Sequence, residues 1–354
     1  MKSFLVTGGA GFVGSHLALR LKAAHAGARV IALDNLRRRG SELNVPRLKA
    51  CGVDFLHGDI RTPGDIAEAG NIDALIECSA EPSVLAGFGE SPEYVVQTNL
   101  VGTLNCLEWA RRRGAAVIFL STSRVYPMAA LRALHYRERE TRVEPEETQR
   151  TPGAGSEGIS EEFPLAGTRS LYGATKLASE LIMQEYLEMY SMRGVINRCG
   201  VLSGAWQMGK VDQGVVVLWM ARHVYGGRLK YIGYGGTGKQ VRDVLHVNDL
   251  CDLVEYQLAH LDTLNGQVFN VGGGRANSAS LQELTALCQE VTGKTLDIET
   301  ERETRTADIP YYVSDHRKVT AATGWQPSHT LRETLTDIHA WILAQKELLR
   351  PILE

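Results

Sequence analysis

Tyr172 and Lys176 lie four residues apart in SLYGATKLASE, a segment that reads as helix, so their side chains share one face. A phenol with a pKa near 10 is a poor base at neutral pH, but a neighbouring ammonium favours its phenolate. Lowering that value by about three units requires roughly 4 kcal/mol, within reach of a charged pair in a site of low dielectric. Ser121 and Thr122 close the apolar run AAVIFL and add a pair of hydroxyls. Such residue types support proton transfer by a general acid/base. A YxxxK spacing is common on helix surfaces, so its weight comes from the company it keeps.

That company is a cofactor site. VTGGAGFVG carries Gly8, Gly11 and Gly14 in a GxxGxxG spacing between an apolar run and a helix opening at Val13. Glycine is needed there because the turn is tight, the backbone must approach a pyrophosphate, and the helix packs close to the sheet. Free amides at the helix start then face the phosphates. Asp34, ending the second apolar run, can accept both ribose hydroxyls of NAD and would repel a 2'-phosphate, so NAD is expected over NADP. Arg37, Arg38 and Arg39 argue mildly the other way. Asp59 in HGDI stands where a side chain could accept from the adenine amino group. A bound nicotinamide cation would further favour a Tyr172 phenolate.

The elements that must position these groups can be read from the pattern. Short apolar runs begin at Phe4, Ala28, Val53, Asp73 and Ala115, with helical segments between them, and two more begin at Gly194 and Val268. This alternation predicts an α/β fold, a Rossmann-type doubly wound parallel sheet built from successive βαβ units. Ser91-Pro92 predicts the start of a helix over Glu93 to Arg113, and Gly114 its end. Between Tyr126 and Tyr172 a segment rich in Glu, Arg, Pro and Gly shows no sustained period and reads as a functional or disordered excursion. The domain expectation is residues 1–200 and 240–275 for the NAD-binding part, and 201–239 and 276–354 for a smaller C-terminal α/β substrate domain.

Composition narrows the partners. With 44% hydrophobic and 22% charged residues and a net charge of -3, nothing calls for nucleic acid or an anionic membrane surface. No apolar stretch nears the roughly 20 residues of a membrane span, and no signal peptide opens the chain. The six scattered cysteines form no CxxC pair or metal-ligand cluster, so a cytoplasmic protein with reduced thiols and no metal is expected.

The motifs TGGAGFVGSHL, LDNL, GDI, STSRVY, YGATK, GKQVRDVLHVNDL and FNVGGG run along nearly the whole chain and resemble the extended short-chain dehydrogenase/reductases that modify nucleotide sugars. Within that family NLRRRGSELNVPRLK, the Asp-Gln-Gly at Asp212, GKQVRDVLH and DIPYYVSD resemble the 2-epimerases of CDP-3,6-dideoxyhexoses. The resemblance implies Thr122, Tyr172 and Lys176 as catalytic residues, Tyr172 being the acid/base. It implies NAD held by Gly8, Gly11, Phe12, Val13, Gly14, Asp34, Asn35, Arg38, Asp59, Ile60, Ser79, Ala80, Asn99, Tyr172, Lys176 and Cys199. On the substrate side it implies Thr122, Ser123, Arg124, Gln213, Gln240, Arg242, Arg305 and Asp308, with Arg242 and Arg305 on the diphosphate and Asp308 near the nucleotide ribose. It further implies a homodimer, or a tetramer, paired through the helices around Glu93 to Arg113 and Leu171 to Tyr190.

The chain also departs from its relatives. ECSAEPSV replaces the usual HxAA, which puts Glu77 and Glu81 in unusual places near the nicotinamide. Ser123 and Arg124 follow Thr122 where 4,6-dehydratases carry Asp-Glu and 4-decarboxylases a Glu, which disfavours those reactions. GYGGTGK at Gly233 imitates a phosphate-binding loop, but Gln240 follows and the next segment reads as a strand, so nucleotide hydrolysis is rejected. His246 and Asp249 read as anchors of a strand-to-helix turn. The functional expectation is an NAD-dependent nucleotide-sugar epimerase. The alternatives are a 4-epimerase, another oxidoreductase or lyase on the same sugars, and a non-catalytic dinucleotide sensor, which loss of Tyr172 or Lys176 would have marked.

Overall fold

The apolar runs become the strands of one sheet in the computed structural model, which describes residues 1–209 and 213–354. They are β1 (Ser3–Thr7), β2 (Arg29–Asp34), β3 (Asp54–His57), β4 (Ala74–Glu77), β5 (Ala116–Thr122), β6 (Gly194–Cys199) and β7 (Val268–Val271). Their spatial order is β7-β6-β5-β4-β1-β2-β3, with parallel ladders joining β3, β2, β1, β4 and β5. Phe4, Leu5, Val6 and Thr7 are all buried, so β1 shows no alternation, as expected of a strand covered on both faces. Leu5, Ile31, Leu75, Val117, Phe119 and Ile196 project from five of these strands into a core shared with Leu107 and Met183 of the flanking helices. The doubly wound α/β fold expected from the sequence is thus the fold observed. Asp212 lies outside the described residues.

One helical segment differs from its expectation. Residues 93–113 run as a short helix Glu93–Val96, a wide π-helical turn Gln97–Gly102, and a helix Thr103–Arg113. Gly114 ends it in the left-handed conformation at φ +64°, as its sequence position predicts. Ser91 Oγ accepts the Glu93 amide at 3.3 Å, while Pro92 takes the cap position. Single-residue π insertions of this kind re-aim side chains and concentrate at functional positions.

Two compact units emerge, one of Met1–Val125, Ser170–Arg198 and Leu250–Phe269, the other of Tyr126–Arg169, Cys199–Asp249 and Asn270–Glu354. Residues 126–169, placed by the sequence reading in the first domain, therefore cluster with the second unit. The segment is also ordered, not a structureless excursion. It carries a short helix Met128–Arg132 and two antiparallel hairpins, Tyr136–Glu138 with Val143–Pro145 and Ala154–Gly155 with Gly158–Ile159. The Ile159 amide donates to Val313 O at 2.8 Å, and Asn270 Nδ2 donates to Ile159 O at 2.8 Å. Tyr126 and Phe163 pack edge to face at 5.7 Å, each 1% exposed. Gly158, at φ +121°, is required because a Cβ there would lie 2.3 Å from Val313 O. Strands of two or three residues have too few positions for a period to show, which is why the pattern reads as loop.

The second unit also holds Val201–Ser203, Val241–His246, Ser278–Ser280 and Tyr311–Tyr312 in one small sheet. GYGGTGK forms a tight turn that enters the strand Val241–His246, not a helix, in line with the rejection of a phosphate-binding loop. Asp249 Oδ1 accepts from Ser328 Oγ and His329 Nδ1, each at 2.6 Å, and His246 stacks on His329 with centroids 4.2 Å apart. Those two residues are anchors, as expected.

Candidate active site

In the first unit every strand from β1 to β5 delivers a candidate residue at its C-terminal edge. Gly8 follows β1, Asp34 ends β2, Asp59 follows β3, Glu77 ends β4 and Thr122 ends β5. Strand order reverses between β1 and β4, the place where doubly wound sheets bind their ligands.

The turn after β1 fits a dinucleotide. Gly8 adopts φ +61°, its carbonyl accepts the Gly11 amide at 2.9 Å, and a Cβ on Gly14 would lie 2.1 Å from that carbonyl. Phe12 and Val13 open the helix Phe12–Ala24, whose first turn has no acidic residue and, among the described residues, no side-chain cap. An uncapped start with inward-facing amides suits a pyrophosphate. Asp34, 9% exposed, accepts the Ala10 amide at 3.1 Å through Oδ2 and the Leu36 amide at 2.8 Å through Oδ1. Burial raises its carboxyl above the ordinary range, and the Leu36, Ala10 and Gly11 amides oppose that rise. The carboxylate is thereby oriented at the strand end by backbone amides.

Around this turn the other candidates are engaged with one another. Asn35 Nδ2 donates to Asp59 Oδ2 at 2.8 Å, and Arg61 Nη2 donates to the same oxygen at 2.7 Å. Burial alone would raise Asp59, but Arg61 and Asn35 bring its carboxyl down to about 2. Arg38 is half-buried and its carbonyl accepts the Ser41 amide, while Arg37 stacks over the Tyr94 ring at 3.8 Å. Ile60 is 3% exposed within the core, so a ligand could meet only its backbone. Asn99, aimed by the π-helical turn, accepts the Glu81 amide at 2.8 Å and donates to Glu81 O at 3.0 Å. It braces the Ser79-Ala80 turn.

The catalytic candidates lie on one helix and at the end of one strand, and these two elements pack together. Ser170 Oγ caps the helix Leu171–Met189 by accepting the Gly173 amide, and that helix packs on β5 and on the Ser123–Val125 turn. Thr122, 6% exposed, accepts the Arg124 amide through Oγ1 at 3.2 Å, which leaves its O–H to donate. Ser121 has another use: its hydroxyl donates to buried Glu180, which Arg198 Nη2 holds at 2.8 Å. Tyr172 is half-buried. Lys176 is 2% exposed, with Nζ 3.4 Å from Glu77 Oε2, 3.5 Å from Ser79 O and 4.5 Å from the Phe119 ring centroid. Glu77 is 1% exposed; burial raises its carboxyl above the ordinary range against the pull of the Lys176 ammonium.

In the second unit Arg242 and Asp308 meet, Nη2 to Oδ1 at 3.0 Å, and Arg242 also donates to Ile309 O and Val241 O. The Arg305-Asp308 spacing is a turn, the Asp308 amide donating to Arg305 O at 3.0 Å. Gln240 Nε2 donates to Ile232 O at 2.8 Å, while the Oε1 atoms of Gln213 and Gln240 are buried without a partner among the described residues. Cys199 is buried at the end of β6. Sequence reasoning missed Arg132, whose guanidinium donates to Thr306 O and Asp308 O at 2.6 Å. It missed Glu180 as well, although Glu180 continues the Tyr172, Lys176 spacing by one more step of four.

Comparison with known proteins identifies the family. The family described as NAD dependent epimerase/dehydratase matches residues 4–272. The CDP-paratose 2-epimerase of Salmonella typhi is 31% identical, covering 95% of this chain and 98% of its own length. A dTDP-glucose 4,6-dehydratase of Streptomyces venezuelae, solved with NAD bound, superposes with a TM-score of 0.80 at 26% identity over 99% of both chains. The UDP-glucose 4-epimerase of Thermotoga maritima, solved with UDP-glucose, gives 0.76 at 26% identity over 97% of this chain and 99% of its own.

The Glu77–Lys176 pair makes stability depend on pH in a defined direction. A carboxyl raised in the folded state stabilises the fold fully below its unfolded value near 4.3, and that contribution is lost as pH rises through the folded value. Lys176→Met removes the charge that lowers Glu77, so the loss then extends through neutral pH. We expect the variant to be less stable than the parent by about 3 kcal/mol at pH 8, with the deficit shrinking toward pH 5 as Glu77 keeps its proton. Urea denaturation at both pH values measures this, and an equal deficit at each would refute it.

Proposed function

Because the chain belongs to the NAD dependent epimerase/dehydratase family, we propose that it inverts carbon 2 of a CDP-linked 3,6-dideoxyhexose. NAD is its cofactor, and when bound it supplies the acceptor and donor of hydride. The observation that carries the reading is the full-length likeness to a CDP-paratose 2-epimerase, joined to Ser123 and Arg124 after Thr122. Expelling a hydroxyl from carbon 6 needs an acid that this position does not supply, whereas inversion at carbon 2 needs only proton and hydride transfer.

The chain's residues divide that work. Gly8 to Gly14 and Asp34 bind and orient the dinucleotide. Tyr172 accepts the proton of the carbon 2 hydroxyl and later returns a proton to the oxygen, while Thr122 donates a hydrogen bond to that oxygen and the Lys176 ammonium favours the phenolate. The resulting ketone must show its other face before reduction, which calls for a firm hold on the diphosphate and a loose one on the sugar. We assign the firm hold to Arg242 and Arg305, whose guanidinium forks suit phosphate oxygens. Leu104, Leu181 and Met189, 38%, 56% and 67% exposed on the helices Thr103–Arg113 and Leu171–Met189, support a homodimer paired through those helices.

Three outcomes are expected. Leu181→Glu with Met189→Glu should halve the sedimenting mass at micromolar concentration; an unchanged mass would remove these helices from any interface. Tyr172→Phe should lower turnover of the CDP-sugar at least about 10²-fold while NAD still co-purifies, and near-parental turnover would take Tyr172 out of the mechanism. In deuterated water the product should be the carbon 2 epimer with no deuterium at that carbon, because its hydrogen leaves and returns without meeting solvent. Proton NMR reads both: deuterium at carbon 2 would mean abstraction of a carbon-bound proton, and inversion at carbon 4 a different epimerase.

A further inference from the structure

We propose that Glu77 sets the charge of the proton-transfer site: its buried carboxylate holds Lys176 in place and, as an anion beside that ammonium, holds back the ionisation of Tyr172. Glu77 ends β4 at 1% exposure, and Lys176 projects from the helix Leu171–Met189 at 2% exposure. Oε2 takes the Nζ at 3.4 Å, and Oε1, also buried, has no hydrogen-bond partner among the described residues. The Ser79 amide and the Thr7 hydroxyl also favour its charged form, but both are neutral, so burial leaves the field of the carboxylate only weakly screened.

Among the described residues, Lys176 is the cation that acts on it. From β1 comes the neutral Thr7 hydroxyl, which accepts the Cys78 amide at 3.3 Å. The helix Thr103–Arg113 brings Cys106, whose thiol burial pushes well above its ordinary range, with Glu77 adding to the rise. From β5 comes the apolar Phe119 ring, and beside β4 the Ser79 carbonyl, 3.5 Å from Nζ. The helix that carries Lys176 also carries Tyr172 one turn before it and Glu180 one turn after it, and Glu180 is neutralised by Arg198. Along that face the charge one helical turn from Tyr172 is therefore a coupled pair, not a lone ammonium.

This bears on a reaction that needs Tyr172 twice, once to take a proton and once to give it back. A lone ammonium and a bound nicotinamide cation would both drive Tyr172 toward phenolate and make it a weak donor on the return step. A buried anion offsets part of that field. At an effective dielectric near 20, a unit charge acting over about 10 Å moves a titration by about one pH unit.

The inference rests on Tyr172 as the proton-transfer group but on no particular sugar, so the test uses none. The protein as purified with NAD, labelled at tyrosine Cζ, is titrated by NMR, and the Tyr172 signal among the twelve tyrosines is the one missing from Tyr172→Phe. Glu77→Gln keeps an oxygen for Nζ and removes the charge, and Glu77→His removes the anion with a different shape. Both should lower the midpoint of Tyr172 ionisation by about one unit or more, and Glu77→Asp should leave it within a few tenths. Lower thermal stability with an unmoved midpoint in Glu77→Gln and Glu77→His would show that Glu77 only supports the fold, and would overturn the proposal. An inactive enzyme on CDP-sugars whose midpoint moves would instead count against the substrate reading alone.

Discussion

An ammonium with 2% of its side chain exposed is the constraint around which the first unit is arranged. Lysine is rarely buried unless paired, because removing its charge from water costs several kcal/mol. Here the compensation comes from three elements at once: a carboxylate from the end of β4, a carbonyl from the turn after it, and an aromatic face from β5. Each must be within reach of one atom on one helix, so β4, β5 and the helix Leu171–Met189 are held in register by a single charge as well as by their apolar contacts. A second buried pair, Glu180 with Arg198, repeats the device one turn along and ties the same helix to β6. It also consumes the Ser121 hydroxyl, which leaves Thr122 as the hydroxyl of that pair still able to donate.

The sheet converts this local arrangement into a site. Parallel strands bring their C-terminal ends to one edge, so residues far apart in the chain arrive together without long loops. The edge is prepared in advance. Asp34 is oriented by two backbone amides, Asn99 braces the Ser79-Ala80 turn through Glu81, and Asn35 and Arg61 share Asp59. Groups already held by the protein need little reordering when a cofactor binds, which lowers the entropic cost of binding.

The second unit obeys a different logic, in which short strands are secured by side chains more than by ladders. Asn270 shows this: its amide nitrogen donates to Ile159 O, its backbone amide donates to Glu161, and its oxygen accepts the Tyr126 hydroxyl. One polar residue, through its side chain twice and its backbone once, thus fixes three points of a segment too irregular to fix itself. Arg132 does the same from its own short helix toward the Thr306–Asp308 turn, which is also where Arg242 meets Asp308. The segment 126–169 therefore shapes the surroundings of the arginines assigned to the diphosphate.

The seven strands, the glycine turn, Asp34 and the Tyr172-Lys176 pair were legible in the sequence, because each depends on local spacing: apolar runs, an uncrowded turn, two residues one helical turn apart. The π-helical turn at Gln97–Gly102 was not, since one extra residue in a turn leaves the apolar pattern nearly unchanged. Nor were the hairpins of 126–169, whose strands are too short to show a period. Glu77 was visible as an unusual residue, yet its meaning was not. A carboxylate ninety-nine positions from Lys176 becomes its counter-ion only when β4 and the helix are packed together. What the sequence determined by itself was the order of elements and the chemical types at their ends. Which charges meet, and with how little water between them, was decided by the tertiary structure, because pairing across the chain depends on distance and burial that no local pattern encodes.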